Sequence, residues 1–166
     1  MISLRHASKA DIPLLEYWDE QPHVKLSDGD DEDWDWEEEL GITVPWREQL
    51  VAELDGKPIG FVQIIDPLLE ETHYWGEIAP NLRAIDIWIG EVDYLNKGYG
   101  TQMMNQAINR CFSNSTVKSI VIDPLKSNTN AHRFYKRFGF EFVEERWFGK
   151  DECSVFQLDR SNWKTS

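Results

Sequence analysis

Tyr94-Leu95-Asn96-Lys97-Gly98-Tyr99-Gly100-Thr101 joins two segments of different period. Before it, Leu82 to Ile89 alternates as a strand. Ile85, Ile87 and Ile89 share one face, and Ala84, Asp86 and Trp88 share the other. After it, Met104, Ala107, Ile108 and Cys111 recur at helical spacing within Thr101 to Phe112. Glycine lets a backbone turn tightly and lets a ligand approach it. The first turn of a helix offers free N–H groups and the positive end of its dipole. A strand–Gly-x-Gly–helix joint is therefore suited to holding a phosphate, although plain turns carry the same glycines.

Upstream, Ser3 to His6 reads as a short strand. Ser8 and Asp11 form a box-like helix start, and Ile12, Leu14, Leu15 and Trp18 give that helix an apolar face. Arg47 to Leu54 and Lys57 to Ile65 alternate as strands around Asp55-Gly56, a hairpin signal. Asp66 to Pro80 is a long connection containing Glu70, Glu71, His73, Tyr74, Trp75 and Glu77; loops of that length often carry function. A lone His73 there reads as an exposed residue. Downstream, Ser119 to Asp123 is a short apolar strand of a sheet centre. Asn128 to Phe138 is a helix that Gly139 stops. Glu141 to Trp147 and Glu152 to Leu158 are two last strands, joined by a turn at Gly149-Lys150-Asp151.

Asp86 stands out because a carboxylate in mid-strand is unusual. Buried, it must be paired or carry a raised pKa. At the open end of its strand, it would bond a backbone amide. Asn128, Ala131 and Tyr135 share one face of their helix, while Phe134 and Phe138 form its core side.

The 166 residues suit one domain spanning 1–166, with no internal repeat. A net charge of −13 disfavours nucleic acid and anionic membrane and favours a cationic partner or plain solubility. No apolar run is long enough to span a membrane. Met1-Ile2-Ser3-Leu4-Arg5 lacks the regions of a signal peptide. Cys111 and Cys153 form neither a metal spacing nor a disulfide framework and read as buried thiols. These points favour a reduced cytoplasm, with no metal expected.

Asp28 to Glu39 holds nine acids around Trp34 and Trp36. Asp28, Asp30, Glu32 and Glu39 match the first, third, fifth and twelfth places of a calcium loop, but the sixth place, which needs Gly, is Asp33. The stretch reads as a solvated acidic helix or loop. Its functional alternative is a wall that attracts a polycation and offers Trp faces for packing or cation–π contact.

Asp123-Pro-Leu-Lys-Ser-Asn128-Thr-Asn-Ala131-His-Arg-Phe-Tyr135-Lys-Arg-Phe-Gly139-Phe140, with Gly98-Tyr99-Gly100 upstream, resembles the GCN5-related N-acetyltransferase (GNAT) superfamily. The resemblance covers nearly the whole chain. It implies an α+β fold, with a twisted, mostly antiparallel sheet splayed at an acetyl-CoA site and helices on both faces. It also implies acetyl-CoA as donor. The pyrophosphate would be held by backbone N–H groups of Lys97, Gly98, Tyr99, Gly100 and Thr101. The strand edge at Ile87, Trp88 and Ile89 would pair with the pantetheine arm, and Asn128 would contact the cofactor. Tyr135 would give a proton to the departing thiolate. A phenol suits that role, being a neutral donor at pH 7. Leu95 stands where the wider superfamily carries Arg or Gln.

Ala84-Ile85-Asp86, Leu95 to Thr101, Asp123-Pro124 and Ser127-Asn128 are similar to aminoglycoside 6′-N-acetyltransferases, as is Leu4 to His23. In that group Leu95 is ordinary. The resemblance makes Asp86 the base or orienting group and gives Asp123 and Asp151 the sugar amines. It puts an indole near Trp75 in the pocket wall. It implies direct transfer to an amine of a small polycation, without an acyl-enzyme, in a monomer or homodimer. Two alternatives stay open. One is another amine acceptor, such as a polyamine, a siderophore precursor, a protein N-terminus or a lysine. The other is a non-catalytic acetyl-CoA-binding module.

Overall fold

The computed structural model describes residues 1–28 and 35–163. The calcium-loop positions Asp30, Glu32 and Asp33, and Trp34, lie outside the described residues. Among those described, seven strands form one sheet: β1 (Ile2–His6), β2 (Arg47–Leu54), β3 (Lys57–Ile65), β4 (Leu82–Ile89), β5 (Ser119–Ile122), β6 (Glu141–Phe148) and β7 (Asp151–Asp159). Their order is β1-β2-β3-β4-β5-β7-β6. All neighbours are antiparallel except β4 and β5. The helices are α1 (Ile12–Asp19), α2 (Pro22–Asp28), α3 (Trp36–Gly41), α4 (Tyr99–Phe112) and α5 (Thr129–Lys136). No helix is long and apolar enough to cross a membrane, among the described residues.

The parallel pair positions the site. β4 and β5 are in register only at Leu82–Ser119, Arg83–Ile120 and Ala84–Val121. Beyond Ala84, β4 runs on to Ile89 paired, among the described residues, with β3 alone. The sheet therefore splays, and β4 turns toward the gap an edge that no described strand pairs with.

Each face of the sheet follows from period 2. One face packs Leu50, Ala52, Val62, Ile64 and Ile85 under Met103, Met104, Ala107 and Ile108 of α4. The other face carries two apolar clusters. Val51 and Phe61 meet Ile12, Leu15, Trp18 and Trp36, while Ile65 and Ala84 meet Trp75, Val121 and Val155. The β2–β3 turn falls at Asp55-Gly56, both at positive φ (50° and 87°), as the hairpin reading requires.

Two element bounds shift, and the acidic stretch resolves to a helix where helix or loop stood open. Helix α4 begins two residues early, at Tyr99, because Gly98 itself is its N-cap. Strand β5 ends at Ile122, so Asp123 is the first residue past it. Within the acidic stretch, α3 is a helix capped by Asp35, whose Oδ1 accepts from the Glu38 amide at 3.2 Å. Trp36 is not an exposed face. It is 2 % exposed and packs edge-on against Phe61 at 5.1 Å.

The box at the start of α1 is built through Asp11. The Ser8 amide donates to Asp11 Oδ2 at 2.8 Å, and Arg5 donates to both carboxylate oxygens, at 2.9 and 2.8 Å. The Arg5 bond holds the Asp11 carboxylate below its usual range against an opposing effect of burial. A lowered folded-state pKa means the contribution is complete above about pH 4 and lost as pH falls through the lowered value. We expect Asp11→Asn to be less stable at neutral pH, and to lose less further stability below about pH 4 than wild type. Chemical denaturation at pH 7 and pH 3 checks this.

Candidate functional site

A cavity of about 750 Å³ fills the splay. Its first wall is the free edge of β4, Ile85 to Ile89, with Gln63 of β3 beside it. The second wall is the end of β5 and its loop, Ile122 to Leu125, continued by Asn128, Ala131, Phe134 and Tyr135. Leu95 and Gly100 close one end. Tyr74, Trp147, Phe148 and Asp151 stand on the outer side, with Asp19 and Ser27 from the α1–α2 region.

The glycine joint has the geometry expected of an anion cradle. Gly98 is left-handed, with φ 85° and ψ 0°, and caps a 14-residue helix. A left-handed cap favours glycine because a Cβ crowds the backbone there. An added Cβ at Gly98 would meet nothing within 4 Å, so the cradle is open. The Gln102 amide returns to the Gly98 carbonyl at 3.3 Å, leaving the amides of Tyr99, Gly100 and Thr101 for the mouth. Lys97 lies over the Tyr94 ring, 5.9 Å from its centre, at the same mouth. An open cradle of amides beside a free strand edge fits a pyrophosphate with an extended amide arm.

On the β4 edge, Gly90 donates to Ile59 of β3 at 2.8 Å, so the Ile89 main chain turns the other way, to the gap. The Ile89 carbonyl accepts from Nε2 of His23, on α2, at 2.8 Å. A side chain thus ties α2 to the strand that the resemblance gives to the cofactor. Nothing in the sequence pattern singled out His23.

Asn128 is the N-cap of α5, its Oδ1 accepting from the Ala131 amide at 3.2 Å. Tyr135 follows on the cavity side, edge-on to Phe134 at 5.2 Å and to Phe140 at 5.8 Å. Burial, then the charges of Asp86 and Asp123, push the Tyr135 phenol well above its usual range. It therefore stays protonated at neutral pH, as a proton donor must.

Asp86 is half-buried on β4, and its Oδ2 accepts from Gln63 Nε2 at 3.3 Å. A side-chain amide thus meets the carboxylate. Asp123 and Asp151 line the same cavity from the ends of β5 and β7. Asp19, at the end of α1, adds a fourth carboxylate, and Trp36 Nε1 donates to its Oδ2 at 2.6 Å. Asp19 and Ser27 were missed because the last turn of a short helix gives no sign of which way its residues point.

Trp75 is placed differently from its expected role. It is 1 % exposed and sits under the wall, edge-on to Phe148 at 5.1 Å, with its carbonyl bonded by Arg146. Its neighbour Tyr74 is the ring that lines the cavity. Desolvation by the wall, then Asp86 and Asp123, raise the Tyr74 phenol; 42 % of the residue stays open to solvent, which softens both effects. A large apolar indole next to a phenol explains the exchange: the core takes the indole and the cavity takes the hydroxyl.

Glu70 also turns inward. It accepts from the Thr72 amide and hydroxyl at 2.9 and 2.8 Å and so folds the 66–80 loop. His73 is exposed, as expected. Both cysteines are free and buried. Burial pushes the Cys111 thiol up to about 12, so it is not a nucleophile at neutral pH. Cys153 lines the cavity but is only 5 % exposed.

Residues 7–148 match the family described as Acetyltransferase (GNAT) domain. Over 154 residues the chain is 30% identical to the aminoglycoside N(6′)-acetyltransferase type 1 of Klebsiella pneumoniae, covering 84% of this chain and 74% of that one. Among solved structures, AAC(6′)-Ib in complex with ribostamycin and coenzyme A superposes with a TM-score of 0.84 at 25% identity, covering 97% of this chain and 94% of that chain. Spermidine N-acetyltransferase from Vibrio cholerae, in complex with CoA and spermine, shares the fold with a TM-score of 0.75 at 18% identity, covering 97% and 96%. The splayed sheet, the open glycine cradle and these matches place the chain in the GNAT acetyltransferase family, as an acetyl-CoA-dependent N-acetyltransferase with aminoglycoside 6′-N-acetyltransferases among its relatives.

Proposed function

We propose that the chain acetylates the 6′-amine of an aminoglycoside. One observation carries this reading: carboxylates from four separate elements, Asp19, Asp86, Asp123 and Asp151, border one cavity that also opens on the glycine joint. An acceptor with several ammonium groups is the partner such a cavity suits. The Klebsiella relative bears that activity in its name, and AAC(6′)-Ib holds ribostamycin.

Acetyl-CoA, when bound, supplies the acetyl group as a thioester. Lys97, Gly98, Tyr99, Gly100 and Thr101 would hold its pyrophosphate, and Asn128 and the edge at Ile87, Trp88 and Ile89 would guide its arm. An ammonium has no lone pair, so Asp86 takes one proton from it, directly or through water. The freed nitrogen attacks the acyl carbon and the carbon–sulfur bond breaks. Tyr135 gives its phenol proton to the departing sulfur. The second nitrogen proton leaves as the phenolate is reprotonated. Asp123, Asp151 and Asp19 hold the other ammonium groups, and Tyr74 covers the acceptor.

Tyr135→Phe tests the acid assignment. It keeps the ring packing on Phe134 and Phe140 and removes only the hydroxyl. We expect kcat to fall about 100-fold, with an unchanged Kd for acetyl-CoA. Equal turnover in the variant would remove Tyr135 from this role. Where the acetyl group lands is read separately, from the NMR spectrum of the acetylated kanamycin. The reading requires it on the 6′-nitrogen.

A further inference from the structure

The sheet face that carries Asp86 has an internal order. Residues of β2, β3 and β4 stand opposite one another in rows: Val51–Phe61–Trp88, Gln49–Gln63–Asp86 and Arg47–Ile65–Ala84. The first row is apolar throughout and packs in the Trp18 cluster, while Ile65 and Ala84 of the third pack in the Trp75 cluster. The middle row is polar from end to end. Polar groups in such a place are retained only with their hydrogen bonds made.

Here they are made in one chain. Gln63 Nε2 donates to Asp86 Oδ2 at 3.3 Å. Gln63 Oε1 accepts from Gln49 Nε2 at 3.2 Å. Gln49 Nε2 also donates to Glu39 Oε2 at 3.0 Å. Glu39, on α3, is paired with Arg47 at 2.6 Å, and Arg47 donates again to the Glu39 carbonyl at 2.9 Å. Gln49 is 9 % exposed.

The two ends set the direction of the chain. Carboxylates accept and do not donate, so Glu39 draws the amino group of Gln49 toward itself. With that group turned to Glu39 and Gln63, the Gln63 carbonyl is the atom that meets Gln49. The Gln63 amino group is left pointing at Asp86. A reversed Gln63 would set a carbonyl oxygen against a carboxylate oxygen. Arg47 neutralises Glu39, so the chain ends without an unpaired charge.

We propose that Gln49, anchored by Glu39 and Arg47, is a positioning residue: it locks the Gln63 amide in the orientation that donates to Asp86. The lock holds a donor on Asp86 Oδ2, and it favours the ionised form of Asp86. This inference rests on the reading of Asp86 as base given above. It also gives α3, part of the acidic stretch, a definite task. Glu39 anchors the far end of the row that holds the base.

Among the described residues, the charged and titratable groups that share the cavity with Asp86 include Asp123 at the end of β5, Tyr74 from the 66–80 loop, Tyr135 from α5, and Asp19 and Asp151. None of them is altered by Gln49→Met or Gln63→Leu, which keep the size of the side chain and remove its amide. The test is the titration of the Asp86 carboxylate by carbon-13 NMR in the full-length protein, in wild type and both variants. Losing a donor to the charged form raises a carboxylate pKa. We expect the midpoint to rise by about one pH unit in Gln63→Leu and by about half a unit in Gln49→Met. Gln49→Met added to Gln63→Leu should move it no further, because the lock then has nothing to hold. Unchanged acetyl-CoA affinity in each variant checks the fold. An Asp86 midpoint that is the same in Gln49→Met as in wild type, or Gln49→Met and Gln63→Leu shifts that simply add, overturns the proposal. The titration does not depend on turnover, so it stays separate from a failure of Asp86 as base, which Asp86→Asn kinetics reports.

Discussion

Asp86→Asn should lower kcat/KM by a factor of about 100 to 10,000, the range for losing a general base. That is about 3–5 kcal/mol of transition-state stabilisation. The substitution is nearly isosteric, and Asn can still accept the bond from Gln63 Nε2. What it cannot do is take a proton from an ammonium. The acidic limb of the pH–rate profile, which reports ionisation of the base, should disappear with it. Binding of acetyl-CoA should not change, since the glycine cradle at Gly98 lies on another element. A variant that keeps both its rate and its acidic limb would remove Asp86 from the chemistry.

Trp18→Ala should lower stability by about 3–5 kcal/mol, as for other large-to-small changes in a core. Trp18 is fully buried at the end of α1, in the cluster with Leu15, Trp36, Val51 and Phe61. Its indole N–H reaches Glu91 Oε1 at 3.1 Å. It also lies against the chain at Gly90, just past β4: a Cβ there would come within 3.0 Å of the indole atoms Cδ2, Cγ and Cδ1. This close approach lets α1 sit against the end of β4, with Asp19 on the cavity and His23 on the Ile89 carbonyl. The effect should therefore reach beyond stability. At a temperature where Trp18→Ala is still folded, we expect a higher KM for the acceptor. A midpoint of chemical denaturation equal to wild type would contradict this role.

Much of the fold was legible because alternation and turns are local. The spans Arg47–Leu54, Lys57–Ile65 and Leu82–Ile89 follow from period 2 and the Asp55-Gly56 turn, and α4 and α5 follow from their apolar spacing and the glycines at 98, 100 and 139. The proposed donor half lies at positions the sequence marks, since Gly98 and Asn128 are the N-caps of α4 and α5. The acceptor half was less legible. A run of acids has no apolar period, so the choice between helix and loop at α3, the burial of Trp36 and the anchoring of Glu39 were hidden. The 66–80 loop has no period either, and which of Tyr74 and Trp75 faces the cavity is a question of one residue. Gln49 and Gln63 read as ordinary polar positions in alternating strands. Their place in a row with Asp86 depends on the register of three strands, which only the folded sheet supplies.

The measurement that bears most directly on the account is thiol release from acetyl-CoA by the purified protein over a panel of acceptors: kanamycin, tobramycin, an aminoglycoside with a 6′-hydroxyl, spermidine and a lysine peptide. The account predicts turnover with kanamycin and tobramycin and none with the 6′-hydroxyl compound. Turnover with spermidine or the peptide alone would leave the acetyltransferase and contradict the aminoglycoside acceptor.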